Sequence, residues 1–458
     1  MSLTFAVATK TLSFQDGLAA LTNEVIWLIV VATFFARAFV KTGFGDRLGL
    51  SFVRAFGKNT LSLAFGMQAA ECVLSPAMPS TTARAAGVFV PIINSLDERT
   101  RAFLTGQQLQ GGNASSTLLL SAAAQNFLCV QLAAAQGVTF ANPFAEWFVA
   151  ASVPCVLSLL ATPLVHYAID PPELKDTPEA PKAAAARLER MGALSAAEAR
   201  SSITLLPIRP RSRGERRSLR TFSPGASLRP HHGFNPDTPR RLLTPTDAFQ
   251  LHPDTRMVGG LGVTVFLWIF GSTLGISAAL AAMIGLCILI CAGVLTWDDA
   301  LEQKGAWDTL LWFAILISMS SALNALGVVG YFAGAVSSSL VAANVSWGAA
   351  FGALHLGYYL MHYFFASQSA HVGALYPAFL AMMISSGAPP ALAALTLAFN
   401  TNLFGGLTHY ASGQSAVYFG SGHLPLATLW KQGAYMSVVN AVVFGVVGMA
   451  WWKVVGLW

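Results

Sequence analysis

Apolar runs of 16 to 25 residues recur along the chain, joined by short polar stretches. A hydrocarbon core about 30 Å thick is crossed by roughly 20 helical residues, whereas barrel strands show alternation over about ten. The pattern predicts an all-α polytopic membrane protein. In chain order it gives a span from Val25 to Val40, an interfacial amphipathic helix in DRLGLSFVRAF and a helical hairpin over about 60–96. The apolar stretch from Phe103 to Ala135 is interrupted by QQLQGGNASS, which reads as a helix unwound near Gly111, Gly112 and Asn113. Residues 144–168 form another span, and residues 169–256 are hydrophilic. Spans at 257–271 and 275–296 then lead to WDTLLWFAILISMSSALNALG and a second hairpin over about 345–384. A span from Ala391, interrupted by NTNLFGGLTHYASGQ, and a last span from Ala434 to Trp452 complete the pattern.

Each hairpin turns at a short polar break, Ser80-Thr81-Thr82 or Ser367-Gln368-Ser369, and the apolar stretch after each is expected to end at Pro91 or Pro377. A basic side chain, Arg84 or His371, stands four residues after the first serine of each break. The spans holding Trp27 and Trp312 also match, each with an acidic residue before the tryptophan and a glycine, Gly43 or Gly327, sixteen or fifteen positions after it. Four crossings separate these two spans if the hairpins re-enter rather than cross. The expectation is an inverted repeat: residues 1–168, a linker over 169–256 and residues 257–458, with two re-entrant hairpins, two unwound helices and a site near the midplane.

Composition agrees. The 458 residues are 54% hydrophobic and 10% charged, against about 25% charged in soluble domains. The net charge of +6 is local: residues 201–256 hold ten Arg, no Lys and four acids, so the remainder sums to zero. PPELKDTPEAPKAAAARLERMGALSAAEAR reads as a Pro-rich connector followed by an amphipathic helix. The Arg/Ser/Pro-rich stretch after it, poor in aromatics, reads as a disordered, solvated insert. Nothing in it resembles a folded nucleic-acid module, and its Arg content suits the cytoplasm-like side. The opening residues lack the series of regions that marks a signal peptide. All five cysteines lie in apolar runs without ligand spacing, and His355, His362 and His371 stand outside any HExxH. With no GxSxG either, neither a metal site, a catalytic residue nor an enzyme activity is expected.

A broken helix within a bilayer is tolerated where it is buried or lines a cavity. The returning helix of each hairpin starts at its Ser/Thr cluster and turns free N–H groups and a positive dipole end toward the cavity. Two such ends from opposite sides suit a molecule with a carboxylate at either end. Arg84 adds a fork-shaped cation whose burial costs about 2.5–3.5 kcal/mol on insertion scales, so it needs an anion. Glu71, nine residues before the first break, is the candidate partner, either as a static pair or when substrate is away. The hydroxyls have their own plain alternative, bonding the preceding helical turn.

These residues resemble the divalent anion/sodium symporter family, whose two signature Ser-Asn-Thr motifs sit at hairpin tips. Longer runs are similar to its plant plastid 2-oxoglutarate/malate translocator branch: TNEVIWLIVV, SPAMPSTTARAAGVF, PPELKDTPEAP, WDDALEQKGAWDTL, FASQSAHVGALY, FNTNLFGGLTHYASGQSAVYFGSG and AWWKVVGLW. The resemblance covers nearly all of the chain outside 201–256. It implies a homodimeric elevator-type carrier, with a transport domain moving past a scaffold, that exchanges 2-oxoglutarate for malate across the chloroplast inner envelope membrane. Its implied substrate-binding residues are Ser80, Thr81, Thr82, Arg84, Asn113, Ser115, Ser116, Ser367, Gln368, Ser369, His371, Thr408, His409, Ser412 and Gly413.

Three departures accompany the resemblance. Family members have further spans before the one beginning here at Val25, so N-terminal spans are expected to be missing. The 201–256 segment replaces a short connector. An imperfect gene model accounts for both, with a real variant as the alternative. Sodium-coupled relatives carry Thr-Pro-Pro-Asn in each unwound helix, where this chain has Gly112-Asn113-Ala114-Ser115-Ser116 and Thr408-His409-Tyr410-Ala411-Ser412-Gly413. Sodium coordination is thereby in question, and Arg84, with His371 and His409, is expected to balance the substrate's charge instead. The rival readings are a sodium-coupled di- or tricarboxylate symporter and an inactive truncated fragment.

Overall fold

A computed structural model of the chain describes residues 2–76, 78–192, 253–342 and 345–458. The disorder expected of the Arg-rich insert falls almost wholly outside these residues. Among the described residues no strand forms, and one isolated antiparallel bridge joins Asn59 and Asp176. The helices are α1 (Ser2–Ala8), α2 (Phe14–Leu18), α3 (Glu24–Thr42), α4 (Phe44–Phe56), α5 (Thr60–Leu74), α6 (Thr81–Arg84), α7 (Val90–Asn94), α8 (Glu98–Leu118), α9 (Ala124–Ala134), α10 (Pro143–Ile169) and α11 (Glu179–Arg190). After the linker come α12 (Pro253–Phe270), α13 (Ala278–Cys291), α14 (Trp297–Leu301), α15 (Lys304–Ala325), α16 (Val328–Ala342), α17 (Trp347–Met361), α18 (Gln368–Ser385), α19 (Pro390–Leu403), α20 (Gly413–Gly420), α21 (Leu426–Val442) and α22 (Met449–Val454). Helices α3, α10, α15 and the continuous stretch Leu426–Val454 are long and apolar enough to cross a membrane.

Local chemistry sets where the matched spans begin and end. Asn23 caps α3 by accepting from the Val25 amide at 2.9 Å, and Gly43 stops the helix at φ 74°. Gly327, at φ 75°, follows α15. Both glycines adopt the left-handed conformation that a Cβ disfavours, the reason a glycine recurs there. One element escaped the hydrophobic pattern: α16, which stands between a long span and a hairpin as α4 does in the first half.

Each hairpin is an outgoing helix, a break and a returning helix. In the first, α5 leads through the break to α6, a π-turn over Ala85–Phe89 and α7. In the second, α17 and a 3-10 turn at His362–Phe364 lead to α18. The prolines do not end the returning helices as expected: Pro91 opens α7 and Pro377 lies inside α18. A proline ring clashes with the carbonyl four residues earlier. That residue is Gly87 in one hairpin and Gly373 in the other, and the wide π-turn gives the first additional room.

The first broken helix is interrupted later than expected. Helix α8 runs unbroken through Gly111, Gly112 and Asn113, and the break falls at 119–123, where Leu119 (φ −125°, ψ 140°) and Ala123 (φ −150°, ψ 142°) are extended. The glycines serve close packing: a Cβ on Gly111 would stand 3.1 Å from Gln68 Cδ, and one on Gly112 would stand 3.7 Å from Glu71 Oε1. The second break lies where predicted, between α19 and α20.

Helix α3 packs against α13 and α15, α5 and α10 against α8, and α18 against α9, α16 and α19. At one end α11, the predicted amphipathic linker helix, lies on α4. Arg47 holds its C-terminus by donating to Gly192 O at 2.6 Å and Met191 O at 2.9 Å. The two breaks and both hairpin tips meet inside this bundle.

Candidate functional site

Both tips have the same cap geometry. Ser80 is extended (φ −111°, ψ 104°), and its Oγ accepts from the Ala83 amide at 3.2 Å. Ser367 is extended (φ −151°, ψ 129°), and its Oγ accepts from the Ala370 amide at 3.4 Å. The serines are thus N-caps, and the first amides of each returning helix have no intrahelical acceptor. Thr81 and Ser369 are half-buried, while Thr82 is exposed and faces Gly413. A Cβ on Gly413 would collide with Thr82 Oγ1, so the first tip rests directly on the start of α20.

Arg84 is fully buried. Its Nε donates to Glu71 Oε1 at 2.6 Å, Nη1 to the carbonyls of Met78 and Ala122 (the latter at 2.9 Å), and Nη2 to Ser116 Oγ at 3.0 Å. Glu71, 3% exposed, is the anion that the sequence offered as Arg84's partner, and the other acceptors tie the tip to the first break. Ser115 and Ser116 lie in regular helix, not in an unwound segment, and both donate to Gly112 O, at 3.0 and 2.7 Å. Helical carbonyls and Arg84 therefore engage both hydroxyls.

The second tip inserts Gln368 among the breaks. Its Nε2 donates to Thr401 O at 2.8 Å, and its Oε1 accepts from Gln125 at 3.3 Å. Gln125 also donates to Asn402 Oδ1 at 3.0 Å, and Asn402 donates to Asn126 Oδ1 at 2.7 Å. Asn113 Oδ1 accepts from Gln414, while Gln110 donates to Gly406 O at 2.9 Å. Ser412 caps α20 and donates to Gly405 O at 2.8 Å. Gln368, Gln125, Asn402 and Asn126 thus form a buried amide chain that joins both halves of the sequence, with the Asn113–Gln414 and Gln110–Gly406 contacts beside it. Of these, Gln110, Gln125, Asn126, Asn402 and Gln414 were missed in the sequence. Their signal was there: uncharged amides inside apolar runs, where an unbonded polar group is costly.

Three expected site residues carry buried polar atoms with no partner among the described residues: Asn113 Nδ2, Thr408 Oγ1 and His371 Nε2. All three side chains are at most 1% exposed. Thr408 sits at the second break, Asn113 faces that break from unbroken α8 beside Gly405 and Gly406, and His371 lies one turn into α18. His362, set aside as a metal ligand in the sequence, faces His371 with Nδ1 to Nδ1 at 3.2 Å, and its Nε2 lies 2.8 Å from Ala411 O. His409 stands apart from that pair, half-buried, accepting from Trp430 at 3.4 Å and packed on Tyr410 and Phe419. The structure therefore joins the tips, Asn113 and Ser412–Gly413 around the breaks, with Arg84 closed off behind the first tip.

The sequence matches the family description "Sodium:sulfate symporter transmembrane region" over residues 1–208 and 251–458. The chain belongs to this family. The unmatched stretch lies within the Arg-rich insert, so the sodium:sulfate symporter match flanks it on both sides. The chain is 46% identical over 470 residues to Dicarboxylate transporter 2.1, chloroplastic, of Arabidopsis thaliana, an alignment that covers 100% of this chain and 74% of that protein. It is 36% identical to Dicarboxylate transporter 1, chloroplastic, of Spinacia oleracea, with 100% and 73% covered. To the L-tartrate/succinate antiporter of Escherichia coli (strain K12) it is 28% identical, with 98% and 82% covered. Among solved structures, MtrF of Neisseria gonorrhoeae has a similar fold, with TM-score 0.57, 12% identity, and 98% of this chain and 84% of that chain covered. These relatives are transporters, as the absence of enzyme motifs predicted.

Proposed function

We propose that this integral membrane protein is a secondary carrier exchanging dicarboxylates, 2-oxoglutarate against malate, across the plastid inner envelope membrane. The observation that carries the reading is the convergence of two Ser-capped hairpin tips and two broken helices around the buried, unpartnered Asn113 Nδ2 and Thr408 Oγ1. Helix N-termini and neutral donors suit carboxylates, and tips from the two halves of the chain suit a molecule with one carboxylate at each end. The chloroplastic dicarboxylate transporters among its relatives support the substrate class.

On this reading Ser80, Thr81, Thr82, Asn113, Ser367, Gln368, Ser369, Thr408, Ser412 and Gly413 form the substrate cradle. Arg84 acts through the tip it holds, and Ser115 and Ser116 act through the helix behind it. Each buried donor without a partner costs about 1–3 kcal/mol, and a bound carboxylate satisfies it. Reorientation is therefore easier for the loaded carrier than for the empty one, which makes exchange obligatory. The repeated element order, with the α3 and α15 spans in equivalent places, supports an inverted repeat. An elevator motion of a homodimer, without sodium, completes the proposal.

The test is uptake of labelled malate into proteoliposomes with and without internal 2-oxoglutarate and sodium. Uptake that requires internal dicarboxylate and ignores sodium is expected. Equal uptake into empty vesicles refutes exchange, and strict sodium dependence favours the symporter that the family description names.

A further inference from the structure

We propose that His362 and His371 form a proton-binding pair loaded together with the substrate, so that the carrier moves a proton with each dicarboxylate. The inference rests on the dicarboxylate reading above, and its argument is one of donors and acceptors. His362 Nε2 lies 2.8 Å from Ala411 O, and a carbonyl oxygen only accepts, so that nitrogen carries a hydrogen. In the neutral ring the other nitrogen, Nδ1, is then bare. The 3.2 Å contact between the two Nδ1 atoms must be filled by a hydrogen from His371. His371 is therefore protonated at Nδ1 and bare at Nε2, the atom that finds no partner among the described residues.

One position remains for a further proton. At His371 Nε2 it leaves both hydrogen bonds intact, whereas on His362 Nδ1 it would face the His371 N–H. The step is simple acid–base chemistry: the Nε2 lone pair takes a proton from water to give an imidazolium, and returns it when the substrate leaves. Nothing is oxidised or reduced.

The surroundings offer no competing charge. Tyr358 of α17 and His362 of the turn after it face His371, with the Tyr358 ring 4.4 Å away and its hydroxyl 3.3 Å from Thr401 Oγ1 of α19. Cys129 of α9 lies beyond that, its Sγ 3.8 Å from Thr401 Oγ1. Phe365 and Phe404 cover the rest of the ring, at 4.9 and 4.6 Å. Among the described residues no carboxylate, lysine or arginine is bonded to either imidazole.

Coupling follows from charge and connection. Arg84 is balanced by Glu71, so it contributes no net charge toward a dianion in a low-dielectric site. A proton on His371 supplies that charge. The link to the substrate cradle is physical: His371 lies one turn from the Ser367 tip, and His362 holds Ala411, between Thr408 and the Ser412 cap.

Two measurements on the purified full chain test this. Nitrogen-15 histidine NMR should show His371 as the Nδ1–H tautomer in its neutral form, and a spectrum with His371 carrying hydrogen at Nε2 overturns the proposal. Calorimetry of malate binding in buffers of different ionisation enthalpy should show proton uptake approaching about one per malate as pH rises above the free pair's own titration, and His371→Gln should abolish it. Uptake unchanged in His371→Gln, or none in the unmodified protein while exchange proceeds, sinks the proton pair and leaves the exchange reading standing. If no dicarboxylate binds or exchanges at all, both fail. If His371→Gln does not fold, the tautomer and the proton uptake of the unmodified protein decide.

Discussion

Replacing Arg84 by Met removes four hydrogen bonds and leaves the buried Glu71 carboxylate with Gln108 Nε2, at 3.2 Å, as its remaining side-chain donor among the described residues. Losing one partner of a buried ion pair costs about 3–5 kcal/mol, most of it the penalty of an uncompensated charge. Glu71→Leu alone strands the guanidinium to a similar extent. The double variant removes both charges. It leaves Ser116 and the carbonyls of Met78 and Ala122 short of a donor, at about 1–3 kcal/mol for each group left wholly unsatisfied. The double variant should therefore be no less stable than either single one, which means a coupling of at least about 3 kcal/mol between the sites. Thermal unfolding in detergent of the four members of this cycle, followed by tryptophan fluorescence, measures that coupling as a difference in midpoint. Additive losses would refute the static pair. So would an Arg84→Met protein with an unchanged midpoint and no exchange, an outcome that puts the guanidinium on the substrate.

Thr408→Val keeps shape and removes only an oxygen without a partner among the described residues; the midpoint should stay constant while KM for malate rises about tenfold, as a lost hydrogen bond to a carboxylate requires. Gly413→Ala should slow exchange through its collision with Thr82, and adding Thr82→Ala should restore part of the rate. Burial would raise the Asp299 carboxyl, but its bonds to Lys41 and Thr296 outweigh that and hold it at about 2. Because it is depressed, the stability it contributes is fully present above its ordinary 3.8 and lost as pH falls toward about 2; Asp299→Asn should flatten that acid limb in midpoint against pH.

Legibility in the sequence tracked distance along the chain. The α3 boundaries were readable because Asn23 and Gly43 are adjacent to the turns they cap. Both hairpins were readable because Ser80 and Ser367 start their own helices. The first break was misplaced because QQLQGGN looks like an interruption. Those glycines instead admit Gln68 and Glu71 from α5, and the true break sits in apolar LLLSAAA with no glycine or proline to mark it. Prolines 91 and 377 misled because each stands within helical structure, Pro91 in the first turn of α7 and Pro377 inside α18, where a proline alone does not mark the end.

The sequence by itself determined the membrane class, the two hairpins with their serine caps and the family. All of these rest on run length, composition or contacts within a helical turn. Only the tertiary structure decided that Arg84 reaches Ser116 and the Ala122 carbonyl as well as Glu71, that the Nδ1 atoms of His362 and His371 lie 3.2 Å apart, and that Asn113 and Thr408 bury polar atoms without a partner among the described residues. A partner's identity is a matter of which atoms lie within about 3 Å. For Gln125 and Gln368 that proximity joins residues from opposite halves of the chain, which no local pattern encodes.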